Sequence, residues 1–180
     1  MSDRDANKPE NIEWQGSFIA AKTRGRWEYV GRTRGMRAAA IIAIDQGHVL
    51  LVEQYRVPIG KKCLEIPAGL IGDSAEHEGE GPETAAMREL EEETGYRAAR
   101  MEILGEFYSS PGLVSESFTL LRAHDLAKVS EGGGTEGENI TVHRVPLRQL
   151  ESFVAQWRKG GHGVDVKVML LMAAELIGED

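Results

Sequence analysis

Glutamates at helical spacing are the residues of this chain best placed to do chemistry. In the stretch Arg88-Glu89-Leu90-Glu91-Glu92-Glu93-Thr94-Gly95-Tyr96, Glu92 and Glu93 follow Glu89 by three and four positions. On an α-helix those offsets put all three carboxylates on one face. Like charges so close repel, and a hard divalent cation held by oxygen ligands removes the repulsion, as Mg²⁺ does in an octahedral shell that retains several waters. Arg88 is spaced to pair with Glu91 or Glu92 and orient a carboxylate, while Leu90, Ala85 and Ala86 can pack beneath the face. Taken alone, the same residues also describe a solvated acidic helix face.

The wider pattern favours the metal. Seven residues separate Glu80 from Arg88, and an Arg-Glu pair, an apolar residue, a Glu-Glu pair and a closing glycine follow in order. The stretch from Glu80 to Tyr96 resembles the signature box of the Nudix family. One element departs, since ten residues stand between Gly69 and Glu80 where the family has five, so Asp73 to Gly79 reads as an insertion. Leu64-Glu65-Ile66-Pro67-Ala68-Gly69-Leu70-Ile71 still resembles the strand and glycine that lead into the box. Trp27-Glu28, Gln54-Tyr55-Arg56 and Ser109-Ser110-Pro111-Gly112-Leu113-Val114-Ser115-Glu116 resemble the ADP-ribose pyrophosphatase branch, which has a proline sixteen residues after the last box glycine, where Pro111 stands relative to Gly95.

The resemblance implies a Nudix fold, a mixed β-sheet sandwiched between helices (α/β/α, in the α+β sense), here with an N-terminal β-hairpin extension. It implies Glu89, Glu92, Glu93 and the backbone carbonyl of Ala68 as ligands of Mg²⁺, with Mn²⁺ as a substitute, and Glu65 and Glu80 as further participants. Glu116, five residues after Pro111, takes the place of the branch's general base. A box glutamate such as Glu92 competes for that role, and Arg88 supports it. Arg56 resembles a phosphate-contacting arginine, against which stands a plain surface ion pair. Pro111 and Gly112 resemble a substrate loop, although this dipeptide also marks ordinary turns. Trp27, and with less contextual support Trp14, resemble the N-terminal aromatics with which the branch stacks adenine across a homodimer. The activity implied is hydrolysis of the pyrophosphate bond of ADP-ribose or a related ADP-sugar to AMP and a sugar phosphate.

The elements that would position these residues follow from patterning. Pro82 and Glu83 open a helix that Gly95 closes. Before it, Ser17 to Ala21 and Arg26 to Val30 read as a hairpin, Arg37 to Ile44 and Val49 to Gln54 as a second, and Leu64 to Ile66 as a short strand. After it come strands at about Glu102 to Tyr108, Ser117 to Ala123 and Ile140 to Val145. An amphipathic helix follows over Leu147, Leu150, Phe153, Val154 and Trp157, then a buried one from Val164 to Ile177. The stretch Ser130 to Gly137 reads as a flexible glycine loop without the lysine and hydroxyl of a phosphate-binding P-loop. No role falls to the histidines, His77 in the insertion included.

With 180 residues, 41% of them apolar and 28% charged, the chain reads as one Nudix domain over 36–180 preceded by an extension over 1–35, with residues 1–10 a disordered tail. A net charge of −8 opposes nonspecific nucleic-acid binding. The polar N-terminus, the absence of a long apolar run and the lone Cys63 point to a cytoplasmic protein without a membrane segment. One region is basic: Lys22, Arg24, Arg26, Arg32, Arg34 and Arg37 are opposed only by Glu28, a solvated strand face or a field for an anionic ligand. With two tryptophans in the same extension, this composition also suits a homodimer contact. The alternatives are a GDP-mannose or other nucleoside diphosphate sugar hydrolase, a nucleoside triphosphate hydrolase, and a non-catalytic ligand-binding module. The intact box argues against the last.

Overall fold

Strand β4 (Arg37–Asp45) is apolar on both faces, and a strand of that kind needs cover on both sides. In the computed structural model, which describes residues 4–33, 37–72, 79–135 and 137–173, it receives that cover. Ala39, Ile41 and Ala43 pack with Leu50, Leu121 and with Ala85, Ala86 and Leu90 of helix α1 (Pro82–Thr94). Ala40 packs on the opposite face with Val49, Leu51, Leu64, Leu120 and with Leu150 and Val154 of helix α2 (Leu150–Lys159). The expected mixed sheet between helices is the observed architecture.

The strands are β5 (His48–Arg56), β6 (Lys61–Glu65), β7 (Ala68–Ile71), β8 (Tyr96–Tyr108), β9 (Ser117–Lys128), β10 (Thr141–Pro146) and the short β11 (Gly163–Val164). Their order is β11-β6-β5-β4-β9-β8, with β10 added beside β5 and β7 beside β4. β4 runs parallel to β9 along one edge, and its other edge is shared: Arg37–Ala40 pair with β7, and Ile44–Asp45 with β5. Where that edge divides, Ile41 N–H donates to the Pro67 carbonyl at 2.8 Å, which seats the Ile66-Pro67-Ala68-Gly69 corner against the centre of the sheet. α1 packs over this corner.

Three expectations need correction. The extension is a three-stranded antiparallel sheet, β1 (Glu10–Gln15), β2 (Ile19–Arg24) and β3 (Trp27–Arg32), in which the expected hairpin is β2–β3 and β1 is an unexpected third strand. Every residue of β1 is exposed, so it shows no buried face that patterning could have revealed. Residues 4–10 are not a disordered tail either, because the Asp5 carboxylate is buried and bonds Arg26 Nε at 2.9 Å. Finally, the chain after α2 is no α-helix from Val164. Gly163 and Val164 pair in parallel with Cys63 and Leu64, and a 3-10 segment spans Val166–Met172. The Asp165 side chain accepts the Lys167 N–H at its start, and Val168 and Met172 are buried. Residues 174–177 of the expected helix lie outside the described residues, as do His77 and most of the insertion (73–78).

Candidate active site

α1 starts at Pro82 after Gly81 and stops where Gly95 takes a positive φ of 75° and donates its N–H to the Glu91 carbonyl. Its inner face presents Leu90, Ala85, Ala86 and, unusually, Glu93, which is only 4% exposed. Glu93 is held by the corner before β7, where its carboxylate accepts the Ala68 N–H at 3.0 Å. Burial pushes its carboxyl pKa up to about 8; the Ala68 bond works against this, while the neighbouring charges of Glu89, Glu138 and Glu65 add to it. Glu89 lies against the same corner. A Cβ on Gly69 would fall 1.9 Å from its carboxyl carbon, so only a glycine lets strand and side chain approach this closely.

Arg88 gathers the other carboxylates. One terminal nitrogen donates to Glu89 at 2.9 Å and to Glu92 at 3.2 Å, and the other reaches Glu80 at 3.4 Å. Among the described residues its buried Nε has no hydrogen-bond partner. Of the two expected partners, Glu92 is therefore met and Glu91 is not. Glu91 faces outward into a two-point pair with Arg97, because it sits on the opposite side of the helix. Glu89, Glu92, Glu93 and Glu80 thus converge around one arginine and one strand corner. No three acidic, histidine or cysteine side chains among the described residues already stand at the distances of a closed metal shell. The donors nevertheless fit a hard cation. All are oxygens, and one is a carboxyl whose ionised form is disfavoured chiefly by burial, a penalty that Mg²⁺ or Mn²⁺ offsets.

A cavity of about 420 Å³ opens beside Ala68 and Gly69 and is lined by Arg32, Arg56, Glu65, Glu116, Asp165 and Lys167, among others. Expected base and expected phosphate contact therefore share one space with the Ala68-Gly69 corner. Each base in it already has an acid: Arg32 bonds Glu116, Arg56 grips Glu65 through two nitrogens at 2.6 and 2.7 Å, and Lys167 bonds Asp165 at 2.8 Å. Arg56 is thus both cavity wall and ion pair. Cys63, also in the wall, is buried, which pushes its thiol up to about 11 and makes it a poor nucleophile.

A second pocket, about 360 Å³, brings together Trp27, Pro111 and Gly112 with Asp5, Glu10, Arg24 and Tyr29. The basic run of the extension is largely answered by acids that are distant in sequence. Lys22 and Arg24 pair with Glu10, Arg26 with Asp5 and Arg32 with Glu116, while Arg34 lies outside the described residues. Trp14 stands in β1, outside both pockets and more than half exposed.

One participant escaped the sequence. Glu138 follows the glycine loop, far from the box, and its charge acts on buried Glu93. Its carboxylate also accepts bonds from the N–H and hydroxyl of Thr135. Only its acidic type, next to a run of glycines, could have raised it.

Comparison with known proteins identifies the family. The NUDIX domain profile matches residues 33–162, most of the chain, and the chain belongs to the Nudix family. A Bacillus methanolicus protein named methanol dehydrogenase activator is 38% identical over 67% of this chain and 64% of its own length. The ADP-ribose pyrophosphatase of Bacillus subtilis is 40% identical over 65% of this chain and 62% of its own. The GDP-mannose pyrophosphatase of Cronobacter sakazakii is 35% identical over 77% and 72% respectively. The chain thus spans somewhat under two thirds of the first two relatives. A crystal structure of an ADP compounds hydrolase superposes with a TM-score of 0.70 over 94% of this chain and 92% of that one, at 23% identity, which speaks to fold alone.

Proposed function

We propose that the chain hydrolyses the pyrophosphate bond of ADP-ribose or a related ADP-sugar, releasing AMP and a sugar phosphate. The observation that carries this reading is the approach of Glu89 and Glu93 to the Ala68-Gly69 corner, with Glu92 held by the same arginine as Glu89, beside a cavity that this corner lines together with Arg32, Arg56 and Lys167. A bound Mg²⁺ or Mn²⁺ would supply charge neutralisation for the pyrophosphate and a more acidic water. Glu89, Glu92, Glu93 and the Ala68 carbonyl would hold it, and Arg88 keeps the first two carboxylates aimed. Arg56 and its neighbours orient the phosphates once substrate charge competes with their present acids. Glu116, in the cavity wall, would take a proton, and Glu138, whose charge acts on Glu93, is the second carboxylate to be tested for that role.

Trp27, with Pro111 and Gly112, supplies a flat apolar face for the base. The exposed Trp14, Phe18 and Ile12 of the extension, with Ile103, Leu104, Phe107 and Tyr108 on edge strand β8, support a homodimer whose extension contributes to substrate binding. The lone buried Cys63 fits the reducing cytoplasm, and no described helix is long and apolar enough to cross a membrane.

A substrate panel tests the reading: kcat/KM for ADP-ribose should exceed that for GDP-mannose and for any nucleoside triphosphate. The GDP-mannose reading, which a relative's name also suggests, is favoured instead if GDP-mannose leads by tenfold. Absence of hydrolysis with Mg²⁺ and with Mn²⁺ across the panel would leave the ligand-binding alternative. Light scattering tests the dimer.

A further inference from the structure

The glycine loop between β9 and β10, expected to be flexible, is bonded to the end of α1. Gly133 N–H donates to the Glu93 carbonyl at 2.9 Å and Gly134 N–H to the Glu92 carbonyl at 3.0 Å. On the incoming side, Val129 and Ser130 N–H both reach the Gly95 carbonyl, at 2.8 and 3.1 Å. The backbones touch. A Cβ on Gly132 would lie 2.4 Å from the Thr94 carbonyl carbon, and a Cβ on Gly95 would lie 2.2 Å from the Ser130 oxygen. Gly132, Gly133 and Gly134 all have positive φ, at 68°, 114° and 79°, so the close approach and the turn both call for glycine.

This contact answers a specific electrostatic difficulty. The last turn of a helix exposes unpaired carbonyls and the negative end of its dipole, which acidic side chains make worse. α1 puts Glu91, Glu92 and Glu93 there and has no basic residue in that turn. The loop supplies N–H donors to the carbonyls of Glu92 and Glu93, the same residues whose side chains face the cation site. It then returns through Ile140, whose N–H bonds the Gly133 carbonyl, and so fixes the short span that includes Glu138.

We propose that Gly132, Gly133 and Gly134 form a positioning clamp: their backbone sets the register of Glu92 and Glu93 for the divalent cation, and ties Glu138 to the same helix end. The inference rests on the metal-site reading above and adds the residues that hold that site in place. It concerns geometry, so its effect should appear in metal affinity and turnover, separately from global stability.

The test compares Gly132→Ala with Gly47→Ala. Gly47 also has a positive φ, 74°, but its Cβ would meet nothing within 4 Å, and it lies in the β4–β5 turn. It therefore reports the strain of the substitution without the clamp. Mn²⁺ binding is measured by paramagnetic resonance on the full chain without substrate, alongside kcat, KM and melting temperature. Gly132→Ala should weaken Mn²⁺ binding and lower kcat, each by tenfold or more, with KM moved less than threefold, and Gly47→Ala should move neither at a similar loss of melting temperature. If Gly132→Ala does not fold, Gly133→Ala serves, since its Cβ has ordinary space and only the backbone angle must change. Unchanged Mn²⁺ affinity in the folded loop variant, or the same loss in Gly47→Ala, overturns the clamp. A wild-type chain that binds no Mn²⁺ overturns the metal-site reading itself, which is a different result.

Discussion

The metal-free protein should lose stability as pH rises through neutrality, and one buried carboxyl should account for a measurable part of the loss. Glu93 has its pKa pushed up to about 8 from an ordinary 4.5, burial being the main cause. Between those values the folded chain keeps a proton that the unfolded chain has released, so unfolding becomes easier as pH rises. The contribution is complete below the unfolded pKa and gone above the folded one. At about 1.36 kcal/mol per pH unit, two units from about pH 5.5 to about pH 7.5 amount to roughly 3 kcal/mol. For a chain of this size that is roughly 5–10 °C in melting temperature.

Glu93→Gln isolates the effect, because the amide is neutral at every pH and retains an oxygen for the Ala68 N–H. In thermal melts across that range in chelator, the stability of the wild type relative to the glutamine variant should fall by roughly 3 kcal/mol from the acid end to the other. Saturating Mg²⁺ should then raise the wild type and leave Glu93→Gln unmoved, since only the wild type keeps the ligand. Parallel melting profiles in chelator would refute the argument.

The other expectations follow from single contacts. Glu89→Gln should cut kcat by two decades or more, roughly 3 kcal/mol of transition-state stabilisation, with the fold intact by circular dichroism. Gly69→Ala must push Glu89 off the strand corner, so Mn²⁺ affinity and kcat should both fall at least tenfold while melting temperature changes little; unchanged affinity would remove the cradle from the site. Trp27→Ala should raise KM for ADP-ribose severalfold and leave kcat near wild type, and an unmoved KM would end the stacking role. Glu116→Gln and Glu138→Gln, compared by their kcat profiles against pH, identify the base as the variant that loses the acidic limb of the profile.

The amino-acid sequence by itself determined what is local. The spacing of Glu89, Glu92 and Glu93, Pro82 at one end and Gly95 at the other dictate a helix with its carboxylates on one side, because helical periodicity and end preferences act within a few residues. The apolar run from Arg37 to Ile44 likewise read as a buried strand, with Val49 to Gln54 as its partner. Tertiary structure decided everything that depends on a partner distant in the chain. Glu91 and Glu92 are neighbours of one type, yet one turns outward to Arg97 and the other inward to Arg88. The basic extension read as a free field until Glu10, Asp5 and Glu116 were folded against it. β1, exposed throughout, exists through its backbone pairing with β2, which leaves no hydrophobic alternation to read. The glycine loop looked unconstrained because its constraint is the end of α1, about forty residues earlier, held by backbone groups that every residue type shares. Side-chain chemistry can be read along a sequence; the pairing of identical backbone donors and acceptors across the fold cannot.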